Sequence, residues 1–198
     1  MTPTPRIIGL WSPAPQCGKS SIAGLLIARA RRGTIVSFAA PLKEMVAVFL
    51  RNAGVDRYRL GHYSATAKEE IIPEVGRSYR YLAQTMGTEW GRNCVGTDIW
   101  AQMTQAAIRR RLEAGYDLVV LDDMRFPNEA RVIRELGGKL WCVRNPAAEQ
   151  RAAADVLGHP SEGALANEAF DHTIAKGGTW QELVATVRRA WDVTAGVA

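Results

Sequence analysis

Arg6-Ile-Ile-Gly-Leu-Trp-Ser-Pro-Ala-Pro-Gln-Cys-Gly-Lys-Ser-Ser21 passes from an apolar run, through a turn-rich loop, into a segment of helical periodicity. Ile7, Ile8, Leu10 and Trp11 read as a buried strand, and Ile22, Leu25, Leu26 and Ala30 as one face of a helix. Strand, loop ending in Gly18-Lys19-Ser20, then helix is the layout of a phosphate-binding loop (P-loop). In such a loop main-chain N–H groups and a helix N-terminus cradle phosphate oxygens; the lysine neutralises them and the serine hydroxyl serves Mg²⁺. The pattern asks for glycine where this chain has Pro13, and neither Pro13 nor Pro15 donates an N–H. The donors the loop needs lie later, at Gln16, Cys17, Gly18, Lys19, Ser20 and Ser21.

Working outward, apolar runs at Thr34–Phe38, Asp117–Leu121, Lys139–Val143 and Asp171–Ile174 read as further strands. Helical stretches are expected at 19–32 (ended by Gly33), from Pro41 to Leu50, at 78–86 and 98–114, from Pro127 to Leu136, and after Thr179 as a cap. Gly87 to Gly96 reads as a connection, 55–77 as an irregular insertion and 145–160 as a lid. Alternating strands and helices predict an α/β three-layer sandwich of the P-loop NTPase type. Its sheet is mostly parallel, of about five strands, with sites at the carboxyl ends of the strands. The 198 residues suit one such domain, with a helical region over about 40–115 inserted.

Composition narrows the setting. The amino-terminal Met-Thr-Pro-Thr-Pro-Arg lacks the apolar core of a secretory signal, and no apolar run approaches the ~20 residues of a membrane span. Cys17, Cys94 and Cys142 are odd in number and far apart, which fits a reducing cytoplasm better than a disulfide framework. They and His62, His159 and His172 lack zinc-ligand spacing. The net charge of +5 suits anionic ligands; Arg109-Arg110-Arg111 lies on a helix where the three fan out, so a DNA-facing patch is the lesser expectation.

At the strand ends, Asp123 is the expected carboxylate beside Mg²⁺ with Ser20, and Asp122 a cap of the turn. A hydrolase would follow with a water-activating glutamate; here Met124 and Arg125 follow, which favours transfer to an acceptor. Arg125 suits a bidentate phosphate grip, Arg144 and Arg151 a clamp on transferring phosphates, and Lys43 another position at the sheet mouth. Arg80 and Gln84 share a helix face; Gln84 would read a base edge, and Trp100 would stack on a ring or pack in the core.

Taken together, these residues resemble the deoxynucleoside monophosphate kinase family of tailed bacteriophages. The resemblance rests on Phe38-Ala-Ala-Pro-Leu-Lys43, Arg80…Gln84-Thr-Met-Gly87-Thr88-Glu-Trp-Gly-Arg92, Asp98-Ile-Trp100, Asp123-Met-Arg125-Phe-Pro-Asn-Glu129-Ala and His159-Pro-Ser-Glu162. It implies an adenylate-kinase-like fold and transfer of the ATP γ-phosphoryl group to a deoxynucleoside 5′-monophosphate, with Mg²⁺. It also implies that Arg80, Gln84, Thr88, Trp100 and Arg125 lie in the acceptor region, that Glu129 positions arginines, and that Lys176-Gly177-Gly178 packs the adenine. A kinase for a modified nucleotide or a modified base in DNA, and a nucleotide-dependent DNA-binding or packaging factor, stay open. So does a homodimer.

Overall fold

The computed structural model describes residues 6–55, 68–154 and 163–195. In chain order the elements are β1 (Arg6–Trp11), α1 (Lys19–Ile27), β2 (Gly33–Val36), α2 (Ala40–Asn52), β3 (Ile71–Ile72), β4 (Arg77–Ser78), α3 (Tyr79–Gln84) and a π-helix (Thr85–Val95). Then come α4 (Ile99–Glu113), β5 (Leu118–Leu121), α5 (Pro127–Glu135), β6 (Lys139–Arg144), α6 (Pro146–Ala154), β7 (His172–Ala175) and α7 (Trp180–Ala195). Two compact units result: one takes the chain up to Phe38 and from Thr104 onward, the other Ala39–Met103.

The first unit is a five-stranded, all-parallel sheet in the order β2-β5-β1-β6-β7. β1 sits at its centre, which is why its residues from Ile7 to Trp11 are all buried. Successive side chains of a strand leave by opposite faces. Ile8 and Leu10 join Ile22 and Leu26 of α1 and Leu183 and Val187 of α7 in one core. Gly9, between them, faces Ile133 of α5 on the other side, and a β-carbon there would collide with it. Helices thus cover both faces, as the α/β expectation required. Thr179 caps α7 in a reciprocal capping box: its hydroxyl accepts from the Glu182 N–H at 3.3 Å, and its own N–H donates to the Glu182 carboxylate at 2.7 Å. Among the described residues no helix is long and apolar enough to cross a membrane.

Three expectations are corrected. Helix one stops at Ile27, not residue 32, and Gly33 opens β2. The carboxylate of Asp117, just before β5, accepts from the N–H groups of Arg31 (3.2 Å) and Arg32 (2.9 Å), so the helix gives way to a turn anchored on the neighbouring strand. Within 55–77 a short antiparallel pair, β3 with β4, replaces irregular structure; 56–67 lie outside the described residues.

The third correction lies in the second unit, where Val46, Leu50, Val55 and Ile72 form a small core. The stretch read as a Gly87-to-Gly96 connection is helical, continuing α3 as the 11-residue π-helix. The Gly96 N–H closes on the Gly91 carbonyl five residues back, at 2.9 Å. Such i→i+5 runs are rare and usually confined to one turn. Here the glycines serve packing: Gly91 lies against the Trp100 ring, which leaves no room for a β-carbon, and the Trp100 indole N–H donates to the Gly87 carbonyl at 2.8 Å.

Candidate active site

Of the expected phosphate-loop residues, Gln16, Cys17 and Gly18 lie in the turn between β1 and α1, and Lys19, Ser20 and Ser21 open α1. Gln16 (φ 59°) and Gly18 (φ 97°) both take left-handed backbone, the alternation that turns successive N–H groups toward one concavity. Gln16 is the sole non-glycine with positive φ among the described residues, and such local strain collects at ligand sites. No side chain caps α1 and its first turn holds no acid, so its N–H groups and the positive end of its dipole are left to a ligand. Lys19 curls back over the loop: its ammonium donates to the hydroxyl of the buried Ser12, which donates to the Ala14 carbonyl at 2.7 Å. Burial, then the charge of Arg125, holds the Lys19 pKa below its usual value. Two cations brought together in a part-buried place are a cost that an anion would relieve.

The carboxylates divide differently from expectation. The Ser20 hydroxyl donates to Asp122 at 3.3 Å. Asp123, expected at the metal, instead accepts from the Phe38 N–H at 2.9 Å and from the Ser37 hydroxyl, and so ties down the end of β2. Leu121 pairs with Gly9 on one side and Val36 on the other, so the residues just beyond it leave β5 between the loop after β1 and the end of β2. Ser20 and Asp122 are hard oxygen donors of the kind Mg²⁺ takes beside nucleotide phosphates. Among the described residues no group of three or more His, Cys, Asp or Glu would hold a metal by itself.

Arg125 is exposed on the loop after β5. Its N–H and that of Phe126 donate to the buried Glu129 carboxylate, at 2.7 and 3.1 Å. Glu129, expected to position arginines, therefore fixes the main-chain turn from which Arg125 projects. Arg144 ends β6 but is engaged in a two-pronged pair with Glu149 of α6, at 2.8 and 2.5 Å. That pair holds the Glu149 carboxyl below its ordinary range. A clamp on phosphates by Arg144 would have to break it. α6 fills the first part of the stretch read as a lid and carries the exposed Arg151; 155–162, with His159-Pro-Ser-Glu162, lie outside the described residues. Lys176 follows β7 and donates its N–H to the Arg144 carbonyl at 2.7 Å; Gly177 beyond it is exposed.

In the second unit, Arg80, Gln84 and Thr88 are exposed along α3 and the π-helix, and Arg80 pairs with Glu69. Lys43 is exposed on α2. Trp100, for which stacking on a ring and core packing were both open, is 5% exposed, with its N–H spent on Gly87 and Trp90 tilted against it at 6.4 Å between centroids. Trp90 is the exposed ring. Trp100→Ala is accordingly expected to lower stability by about 3–5 kcal/mol in denaturant unfolding. An unchanged unfolding midpoint with a raised acceptor KM would restore the stacking role.

A sequence model of the deoxynucleotide monophosphate kinase family matches residues 42–187. The match begins beyond the phosphate loop, which therefore stands on the geometry above. A deoxynucleoside-5′-monophosphate kinase of Escherichia phage T5 is 31% identical over 110 residues, 54% of this chain and 42% of that one. The chain thus spans less than half the length of that relative. Among solved structures, TT1252 of Thermus thermophilus has a TM-score of 0.56 at 18% identity, with 98% of this chain and 99% of that one covered. A sugar kinase of Janibacter sp. HTCC2649 has a TM-score of 0.50 at 15% identity, with 99% of each covered. At these identities the likeness is one of fold.

Proposed function

The chain belongs to the deoxynucleotide monophosphate kinase family, and on that premise we propose that it transfers the γ-phosphoryl group of ATP to a deoxynucleoside 5′-monophosphate, giving the diphosphate and ADP. The observation that carries this beyond membership is the turn with left-handed Gln16 and Gly18 at the uncapped start of α1, where Lys19 follows and Ser20 faces Asp122.

The reaction breaks the bond between the γ-phosphorus and the β,γ-bridging oxygen, whose electron pair leaves with ADP. It forms one from that phosphorus to an oxygen of the acceptor's phosphate. That oxygen is largely ionised at neutral pH, since the second phosphate pKa is about 6, so no general base is needed. The chain's task is positioning and charge neutralisation. Lys19 and the loop N–H groups hold the donor phosphates, and Arg125, oriented by Glu129, grips the acceptor's. The resemblance assigns Arg80, Gln84 and Thr88 to the acceptor nucleotide, with Lys43 a further candidate, and Gly177 to the adenine. Mg²⁺ brought with ATP would be held by Ser20 and Asp122 and would neutralise charge on the β- and γ-phosphates. The setting is the cytoplasm, that of the host if the chain is phage-encoded.

A coupled ADP-release assay over all common ribo- and deoxyribonucleoside monophosphates, with thymidine and DNA as controls, tests this. Release is expected with at least one deoxynucleoside monophosphate and very little with thymidine. Release driven by DNA without any monophosphate would overturn the proposal. In the same assay Asp122→Asn is expected to need roughly tenfold more Mg²⁺ or above. Asp123→Asn is expected to leave the Mg²⁺ requirement near wild type and lower thermal stability, because its bonds run to Ser37 and Phe38. The opposite split would return the metal to Asp123.

A further inference from the structure

The phosphate loop runs from Ser12 to Gly18, and an ammonium stands at each end of it. The Lys19 ammonium is at Ser12. At the other end the Lys176 side chain lies across Gly18: a β-carbon built on Gly18 would come within 2.7 Å of its Cδ and 2.9 Å of its Nζ. Two constraints therefore converge on Gly18, its positive φ and the lysine stem packed on its α-carbon. The placement is anchored from behind, since the Lys176 N–H extends the β6–β7 ladder by its 2.7 Å bond to Arg144. Among the described residues the half-buried Lys176 has no acceptor or carboxylate for its ammonium. A cation in that state, resting on a loop whose N–H groups and left-handed turns suit an anion, lacks only the anion.

We infer that Lys176 is a second phosphate-binding cation of the donor site, its ammonium taking an oxygen of the ATP polyphosphate at the Gly18 end of the loop. This rests on the kinase reading and changes one part of it: the resemblance puts Lys176 on the adenine side, whereas the geometry turns its charge to the phosphates. Adenine packing would be left to the main chain from Gly177 onward.

Inorganic tripolyphosphate separates the two roles, because it has the phosphates and no base. Calorimetric titration of wild type, Lys176→Met and Lys176→Arg with tripolyphosphate and with ATP is the test, circular dichroism confirming the fold of each. Lys176→Met is expected to lose roughly tenfold or more in affinity for both titrants alike, and Lys176→Arg to keep most of it. Wild-type affinity of Lys176→Met for tripolyphosphate would overturn the inference, whatever happens to ATP. A folded wild-type protein that binds neither titrant would instead remove the phosphate loop reading and the inference with it.

Discussion

Lys19→Ala is expected to lower kcat for phosphoryl transfer by roughly a thousandfold or more, because the loop keeps its N–H donors but loses the charge that follows the migrating phosphoryl group. Its fold is expected to survive. In the absence of nucleotide it should even match or exceed wild type in thermal stability at neutral pH. Burial and Arg125 push the Lys19 pKa down, so the folded state holds that proton less firmly than the unfolded chain, where the pKa is about 10.4. The penalty is fully present below the lowered folded value and fades as pH climbs toward the unfolded one. ATP should reverse the order of the two proteins by stabilising wild type more. Near-wild-type turnover in folded Lys19→Ala would end the phosphate-loop assignment.

Arg125→Ala is expected to cost on the order of 2–4 kcal/mol of transition-state stabilisation, seen as a hundredfold or greater fall in kcat/KM for the monophosphate. The KM for ATP should move little. The guanidinium is exposed and its turn is held through the main chain by Glu129, so truncation leaves that turn in place. Loss of ATP binding instead, or comparable kcat/KM for thymidine and its monophosphate, would make Arg125 a donor-side residue and favour another acceptor.

The sheet was legible because its strands are short apolar runs bounded by turn residues, and the phosphate loop because its motif sits between a strand and a helix. Less was legible wherever a distant partner decides. Asp122 and Asp123 are chemically identical neighbours, and only the alignment of β5 against β1 and β2 says which of them meets Ser20. The end of helix one depends on Asp117, remote in sequence. The π-helix was hidden because glycine is a poor helix former, and its use beneath Trp100 is a tertiary fact. Lys176 carried no local signal pointing to Gly18.

The position of β1 also sets an order of events. Of the five strands in this sheet it comes earliest in the chain, yet it is the central one, with Ile8 beside Val120 on one flank and Lys139 on the other. Neither edge of β1 can be satisfied until β5 and β6 have been made. Pairing across such sequence separations is slow, and it leaves an apolar strand unpaired during synthesis. The nascent chain therefore carries its Gly18-Lys19-Ser20 motif on an unfinished sheet until β6 has been made. Fragments truncated before β6 should neither bind ATP nor stay dispersed.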